Sequence, residues 1–204
     1  MPIPIEAIVK HYDCDPTLAQ RVATRPSPTS LAIVPPNPAW PHHYADLEAL
    51  IVTAIGPAAI SISHAGSTSV PDLPAKDCID IDLCVADIDH EDSYVPALEG
   101  AGFLFLLREP SWHGHRFFCR ADPDLQPVNL HVWPRGCPEV ERHRIFRDWL
   151  VREPADRDLY ADAKREASSA AVGAGEGVEA YNLRKEATIR DILGRAFRHL
   201  GYID

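Results

Sequence analysis

Asp80 and Asp82 lie two residues apart in the alternating sequence CIDIDLCV of residues 78–85. This alternation predicts a β-strand, in which residues i and i+2 project from the same face. Both carboxylates would then lie close together, while the apolar residues between them enter a core. Two neighbouring carboxylates repel each other, and a hard divalent cation such as Mg²⁺ or Mn²⁺ relieves that repulsion. The pair therefore predicts a metal site suited to phosphate chemistry.

A Gly-Ser turn precedes this strand, in the sequence HAGSTSVP of residues 64–71. Backbone N–H groups and hydroxyls of such a turn can bind phosphate oxygens, so Gly66, Ser67 and Thr68 are predicted phosphate contacts. Lys76 would neutralise phosphate charge. The structural alternatives are a turn glycine that only needs a positive φ and a lysine that is only solvated.

His131 lies in a second alternating sequence, VNLHVW, at residues 128–133. If this strand neighbours the aspartate pair, His131 would face the pair as a metal ligand or a general base, since a histidine pKa is close to neutral. Arg116, on an intervening strand, would contact phosphate.

The histidines also allow a different interpretation. His113 and His115 flank Gly114, and together with His131 they would supply three imidazoles. That composition suits Zn²⁺ or non-haem iron, so a histidine-ligated metalloenzyme is an alternative.

Composition limits the class of protein. The chain has 204 residues, of which 46% are hydrophobic and 25% charged, which is typical of a globular domain. A net charge of −10 argues against nucleic acid or an anionic membrane as a partner. No apolar run of membrane-spanning length and no signal-peptide pattern is found, so a cytoplasmic protein is expected. Five cysteines without a CxxC spacing do not indicate a disulfide framework.

The periodicity predicts an α/β (α+β) fold with three parts. Residues 1–30 would form an N-terminal arm with a short helix near 16–23. Residues 31–137 would form the α/β core, with short strands at 31–34 and 59–64, further strands at 78–85, 103–107, 116–120 and 128–133, and helices at 40–54 and 91–100. Residues 138–204 would form a helical layer packed on the core, with helices at 139–152, 155–171 and 176–199.

Four stretches resemble one family. HAGSTSVPDLPAKDCIDI at residues 64–81 is similar to the signature of the GrpB family, also called UPF0157. VPPNPAWP at 34–41, NLHV at 129–132 and HRIFRDWL at 143–150 resemble further motifs of that family. The resemblance covers about residues 32–197 and leaves the N-terminal arm outside.

The resemblance implies a nucleotidyltransferase fold, with a mixed β-sheet flanked by helices. The marks of that superfamily are a Gly-Ser turn, an Asp-x-Asp pair on the next strand and often a third acid on a later strand. The first two are present here, but the later strand offers Asn129 and His131 in place of a carboxylate. The implied activity is Mg²⁺-dependent transfer of a nucleotidyl group from a nucleoside triphosphate, with ATP expected, to a small-molecule acceptor. Asp80 and Asp82 would hold the metal, with His131 beside them as a catalytic residue.

Further polar residues are candidates for substrate binding. His64 ends an apolar strand, where a hydrogen-bonded structural role is the alternative. The other candidates lie on the predicted C-terminal helices, where a solvated or structural role is the alternative: Arg147, Lys164, Tyr181 and Lys185.

A second function class stays open beside the transferase. A non-catalytic module that binds a nucleotide or metabolite is favoured by the missing third carboxylate, and by the occurrence of this family as an extension of some dephospho-CoA kinases. Either class would use small molecules as partners, and both a monomer and a homodimer are compatible with the sequence.

Overall fold

The computed structural model describes residues 2–12 and 15–204. Its helices are α1 (Ile5–Val9), α2 (Trp40–Ile55), α3 (Val95–Gly100), α4 (Pro138–Arg152), α5 (Pro154–Gly173) and α6 (Val178–His199). Its strands are β1 (Gln20–Arg21), β2 (Ala59–Ala65), β3 (Ile79–Val85), β4 (Phe103–Glu109), β5 (His115–Arg120) and β6 (Val128–Pro134). The mixed α/β fold predicted from the sequence is confirmed.

The six strands form one mixed sheet in the order β1-β4-β5-β6-β3-β2. β3 and β6 run parallel, and every other neighbouring pair is antiparallel. The parallel register places Asp80 opposite Asn129 and Asp82 opposite His131. The sheet therefore brings the two polar strands together, as the site prediction required.

Alternation along the strands gives the sheet two different faces. One face is apolar: Ile79, Ile81 and Leu83 of β3 are fully buried and pack with residues of β6, α2 and α3. Burying each such side chain contributes about 1.5–3 kcal/mol. The other face of β3 carries the aspartates, and His143 of α4 hydrogen-bonds to Asp82 there. The core therefore fixes β3 from one side and leaves its polar side for the site.

The three predicted C-terminal helices are present. Pro154 is the first residue of α5, where the missing N–H costs no helical hydrogen bond, and this separates α5 from α4. Leu150, Tyr160 and Ile192 from the three helices pack with Val70 and Leu73 after the Gly-Ser turn. Within the described residues, no helix combines the length and apolar character that crossing a bilayer requires.

Three local predictions are wrong. Residues 16–23 form a single 3₁₀ turn and then β1, because Gln20 and Arg21 pair with the edge of β4. Residues 31–34 contribute one isolated bridge, from Val34 to Ala75. The helix predicted at 91–100 is divided into a 3₁₀ turn and α3, with Tyr94 between them in a non-helical conformation.

Candidate functional site

A cavity of about 930 Å³ lies between the polar face of the sheet and the C-terminal helices. Most residues predicted for the site line it: Gly66, Ser67, Thr68, Lys76, Asp80, His131, Arg147, Lys164, Tyr181 and Lys185. The fold thus gathers side chains more than a hundred positions apart around one space. The cavity is large enough for a nucleotide-sized ligand.

Gly66 lies directly against Asp80. Its backbone has φ 64° and ψ −168°, a combination that is essentially restricted to glycine. A Cβ atom at this position would overlap the Asp80 carboxylate. Glycine is therefore required both by the backbone conformation and by the close approach of the aspartate.

Asp80 is the carboxylate of the pair that lines the cavity. Its Oδ1 accepts a hydrogen bond from Nδ2 of Asn129 at 2.7 Å. Oδ1 of Asn129 in turn accepts from the guanidinium of Arg25 at 2.6 Å. Burial raises the pKa of Asp80, while Asn129, Lys76 and Lys185 oppose that rise. Arg25 is thus linked to the aspartate through an amide.

Asp82 is buried beneath the cavity, and both of its oxygens are occupied. Oδ1 accepts from the indole N–H of Trp133 at 2.8 Å, and Oδ2 accepts from Nδ1 of His143 at 2.8 Å. Burial alone would raise the pKa of Asp82, but His143, together with His131 and Trp133, outweighs burial and lowers it. Burial also opposes the charge on His143, yet Asp82 raises the pKa of that imidazole to about 9. An imidazolium therefore balances the Asp82 charge.

This donor set does not fit Mg²⁺ as the side chains are arranged. A magnesium ion prefers several oxygen ligands in octahedral geometry. Here each oxygen of Asp82 accepts a hydrogen bond, one from Trp133 and one from His143, and Oδ1 of Asp80 accepts from Asn129. Among the described residues, no group of three or more His, Cys, Asp or Glu side chains could hold a metal ion.

The three-imidazole arrangement does not form either. Nε2 of His115 and Nδ1 of His131 lie 3.0 Å apart in a hydrogen bond with each other. His113 lies instead at a turn, with its ring edge against Tyr12 at a centroid distance of 4.3 Å. These histidines therefore do not converge on a common metal position.

The ammonium groups of two lysines contact the same aromatic ring at the cavity wall. The Nζ atoms of Lys76 and Lys185 lie 4.7 and 4.8 Å from the centroid of the buried Tyr181 ring. Burial and the neighbouring Lys185 lower the pKa of Lys76. A bound anion would relieve this repulsion, and it would also stabilise the charged forms of both lysines.

Lys164 is a third cation at this wall. Its side chain is almost completely buried, its Nζ donates to the carbonyl oxygen of Pro74, and Nζ lies 4.8 Å from the centroid of the Tyr160 ring. Burial, followed by Lys185 and Arg165, lowers its pKa to about 7. Lys164 therefore changes charge near neutral pH.

The structure does not bring Arg116 to the cavity. It lies on the apolar face of the sheet because it alternates with His115 and Phe117 on β5. It forms ion pairs with Glu91 and Asp89, both at 2.9 Å. Its charge is thus balanced on the opposite side of the sheet from the cavity, so its predicted phosphate contact is not supported.

His64 has a structural position. It alternates with Ala65 on β2 and points away from the cavity, where its ring stacks on Tyr44 at a centroid distance of 4.6 Å. Its Nε2 hydrogen-bonds to the hydroxyl of Thr68 at 2.9 Å. Burial, with a smaller effect of Arg147, lowers the pKa of His64 to about 4. The neutral imidazole therefore orients Thr68 within the turn rather than binding substrate.

Sequence reasoning missed several residues of the site, among them His143 and Arg25. His143 begins the stretch HRIFRDWL that resembles a family motif, and that position was the available signal. Arg25 had no signal, because it lies in the N-terminal segment and reaches Asn129 only through the fold.

Replacing Arg25 with Gln tests the contribution of the N-terminal segment. Loss of one charged group from the cavity wall is expected to weaken anion binding about tenfold, as for one charge-assisted hydrogen bond. Stability should change little because the side chain is only half-buried. Titration of ATP by calorimetry measures the first effect and urea denaturation the second. Arg184→Gln, at an exposed position outside the cavity, is the control, since it removes an equal charge and leaves the bond from Arg25 to Asn129 in place.

Comparison with known proteins identifies relatives that match most of the chain. The model of the family described as "GrpB protein" matches residues 30–195. A UPF0157 protein of Halalkalibacterium halodurans is 38% identical over 172 residues, which cover 84% of this chain and 85% of that protein. A UPF0157 protein of Pseudomonas aeruginosa is 35% identical, covering 81% of this chain and 67% of that protein.

Two further relatives show where this unit occurs and how it folds. A dephospho-CoA kinase of Mycobacterium tuberculosis is 31% identical over 88% of this chain, which spans 48% of that kinase. The crystal structure of conserved protein GrpB from Enterococcus faecalis superimposes with a TM-score of 0.71 at 24% identity, covering 83% of this chain and 99% of that one. That structure supports the fold. The motif resemblance is confirmed by the family match, and the chain belongs to the GrpB family.

Proposed function

We propose that the cavity binds a phosphate-bearing small molecule of the nucleotide class without a resident metal ion. The main observation in support of this proposal is the charge of the cavity wall. Seven Lys and Arg side chains line it against four Asp and Glu side chains, in a protein whose net charge is −10. The cations are Arg21, Arg25, Lys76, Arg142, Arg147, Lys164 and Lys185.

The position of the cations supports phosphate over a single carboxylate as the ligand group. Lys76 and Lys185 meet at the Tyr181 ring, and the backbone of the Gly66–Ser67 turn borders the same space. Several cations and a turn suit the several oxygens of a di- or triphosphate. The ammonium groups would supply the charge balance that Mg²⁺ supplies in other phosphate sites.

Calorimetric titration with ATP in EDTA tests the proposal. We expect saturable binding that persists without a divalent cation. Lys76→Gln and Lys185→Gln should each weaken it about 10- to 100-fold, because each removes a charged partner of phosphate worth about 1.5–3 kcal/mol. Wild-type binding that disappears in EDTA, or no binding of ATP, pyrophosphate or inorganic phosphate at all, contradicts the proposal.

Arg184→Gln provides the matched control. Arg184 is the residue before Lys185 on α6, it is exposed, and it pairs with Glu176 at 2.5 Å. The substitution changes the net charge by the same amount without touching the cavity. Equal weakening by Arg184→Gln and Lys185→Gln would indicate a long-range charge effect in place of a binding contact.

Nucleotidyl transfer from ATP to a small acceptor is the second candidate. One observation favours it: the Asp80 carboxylate lines the cavity directly beside the Gly-Ser turn, where the resemblance places a catalytic acid. Pyrophosphate release from ATP with Mg²⁺ and a panel of hydroxyl, amine and carboxylate acceptors would support transfer if Asp80→Asn abolishes it. Binding of ATP without release across the panel supports the binding module.

A further inference from the structure

Three side chains on adjacent strands form a hydrogen-bonded chain that ends at the cavity. Oε2 of Glu109 on β4 lies 2.6 Å from Nδ1 of His115 on β5. Nε2 of His115 lies 3.0 Å from Nδ1 of His131 on β6. His131 lines the cavity, whereas His115 is 1% exposed. Each imidazole thus uses its Nδ1 to hydrogen-bond to the preceding residue of this chain, His115 to Glu109 and His131 to His115.

The chain determines where the protons lie. A glutamate is a stronger acid than an imidazolium, so the Glu109 carboxylate accepts the hydrogen bond and Nδ1 of His115 carries the proton. Nε2 of a neutral His115 then has a lone pair and accepts from Nδ1 of His131. With Nδ1 of His131 protonated, its Nε2 is left with a lone pair.

The surroundings keep both rings neutral. Burial lowers the pKa of His115, although Glu109 opposes that change. Burial, together with the smaller effects of His115, His143 and Arg25, lowers the pKa of His131 to about 3 against the opposing charge of Asp82. The Trp133 ring lies 4.2 Å and the Trp112 ring 5.0 Å from the His115 ring, between centroids, and these indoles enclose the middle of the chain.

We propose that Glu109 and His115 are positioning residues that fix His131 as its Nδ1–H tautomer, so that Nε2 is an obligate acceptor for a hydroxyl or amino group of the ligand. The ligand class follows: a phosphate compound that also carries a hydrogen-bond donor, such as a ribose or an acceptor hydroxyl. This ligand class rests on the proposed function, whereas the tautomer does not.

Nitrogen NMR of the ¹⁵N-histidine-labelled protein at neutral pH tests the tautomer without any ligand. We expect a protonated Nδ1 and an unprotonated Nε2 for His131. His42, whose side chain is 77% exposed, is the internal reference, because a solvent-exposed imidazole exchanges between its tautomers and gives averaged signals. A protonated Nε2 on His131, or signals averaged over both tautomers, would overturn the proposal.

Two variants test the chain itself. His115→Phe removes the acceptor for Nδ1 of His131, and we expect His131 to shift toward Nε2–H. Glu109→Gln replaces the carboxylate with an amide that can donate or accept, so a mixture of tautomers is expected. If the His115→Phe variant does not fold, the tautomer of His131 measured in the Glu109→Gln variant is the deciding result. His42→Gln should leave the His131 signals unchanged, and a His131 that remains Nδ1–H in every folded variant refutes the role of the chain.

A titration of the same sample with ATP separates the two proposals. A change in the Nε2 resonance of His131 on binding would support the ligand contact. An Nδ1–H tautomer in a protein that binds none of ATP, pyrophosphate and phosphate would leave the chain standing and contradict the proposed function. ATP binding by a protein in which Nε2 of His131 is protonated would overturn the proposed hydrogen-bonded chain but not the proposed function.

Discussion

Gly66→Ala is expected to lower the free energy of unfolding by about 2–4 kcal/mol and to abolish ATP binding. The substitution forces a side chain into a glycine-only region of the backbone, φ 64° and ψ −168°. It also drives a methyl group into the Asp80 carboxylate. Relief requires movement of the turn or of Asp80, and either movement disturbs the phosphate-facing end of the cavity. Urea denaturation and calorimetry measure the two effects.

Gly56→Ala is the matched control. Gly56 also has a positive φ, of 50°, but a methyl group there would meet no heavy atom of the described residues within 4 Å, apart from its own chain neighbours. The backbone of Gly56, with φ 50° and ψ −125°, lies in a sparsely populated region, so Gly56→Ala should be destabilised only by backbone strain, about 1–3 kcal/mol, and should keep ATP binding. Equal destabilisation by the two substitutions would refute the close contact between Gly66 and Asp80. Normal ATP binding by Gly66→Ala would refute the role of the turn.

Asp82→Ala is expected to lower the free energy of unfolding by about 2–4 kcal/mol, because it leaves the Trp133 N–H and the His143 imidazole without their acceptor. Both bonds are 2.8 Å long, and the Asp82 side chain is 1% exposed. Asp82→Asn is the control, since its amide oxygen can still accept from Trp133. It should lose only the ion pair with His143. Urea denaturation separates the two losses.

The ion pair also predicts the direction of a pH effect. The pKa of His143 is raised to about 9 in the folded state from 6.5 unfolded, so its contribution is complete below pH 6.5 and is lost as the pH rises through 9. The pKa of Asp82 is lowered, so the contribution is also lost in acid, as the pH falls below about 4. Because one third of the His143 side chain is exposed, we expect about 1–2 kcal/mol after solvent screening.

The stability difference between wild type and Asp82→Asn should therefore be largest between about pH 4 and 6.5 and should shrink toward pH 10. Urea denaturation across this range measures the difference. A difference that grows with pH would contradict the imidazolium. It would also mean that the Asp82 carboxylate is available to bind a cation.

The aspartate strand illustrates what the sequence could and could not predict. The alternation in residues 78–85 was sufficient to place Asp80 and Asp82 on one face, since this depends only on local backbone geometry. What each carboxylate contacts depends on tertiary structure. His143 lies on α4, 61 positions after Asp82 in the chain, and it hydrogen-bonds to that carboxylate. Asn129 hydrogen-bonds to Asp80. Identical residues in one strand therefore have different environments.

Strand pairing explains the remaining differences. Whether Arg116 or Phe117 faces the cavity is decided by the register of β5 with β6, in which Phe117 lies opposite His131. That register is not readable from β5 alone. The hydrogen-bonded chain from Glu109 to His131 crosses three strands, and Arg25 approaches from the segment before the family match. The family motif located the turn and the aspartates, but these partners required the fold.

A crystal structure of the protein with a non-hydrolysable ATP analogue and Mg²⁺ would show where the phosphates bind. We expect the phosphates to lie against the Gly66–Ser67 turn and within hydrogen-bonding distance of Lys76 and Lys185. We also expect His143 to remain paired with Asp82. Phosphates bound elsewhere, or a metal ion bridging Asp80 and Asp82 with His143 displaced, would contradict the proposed function.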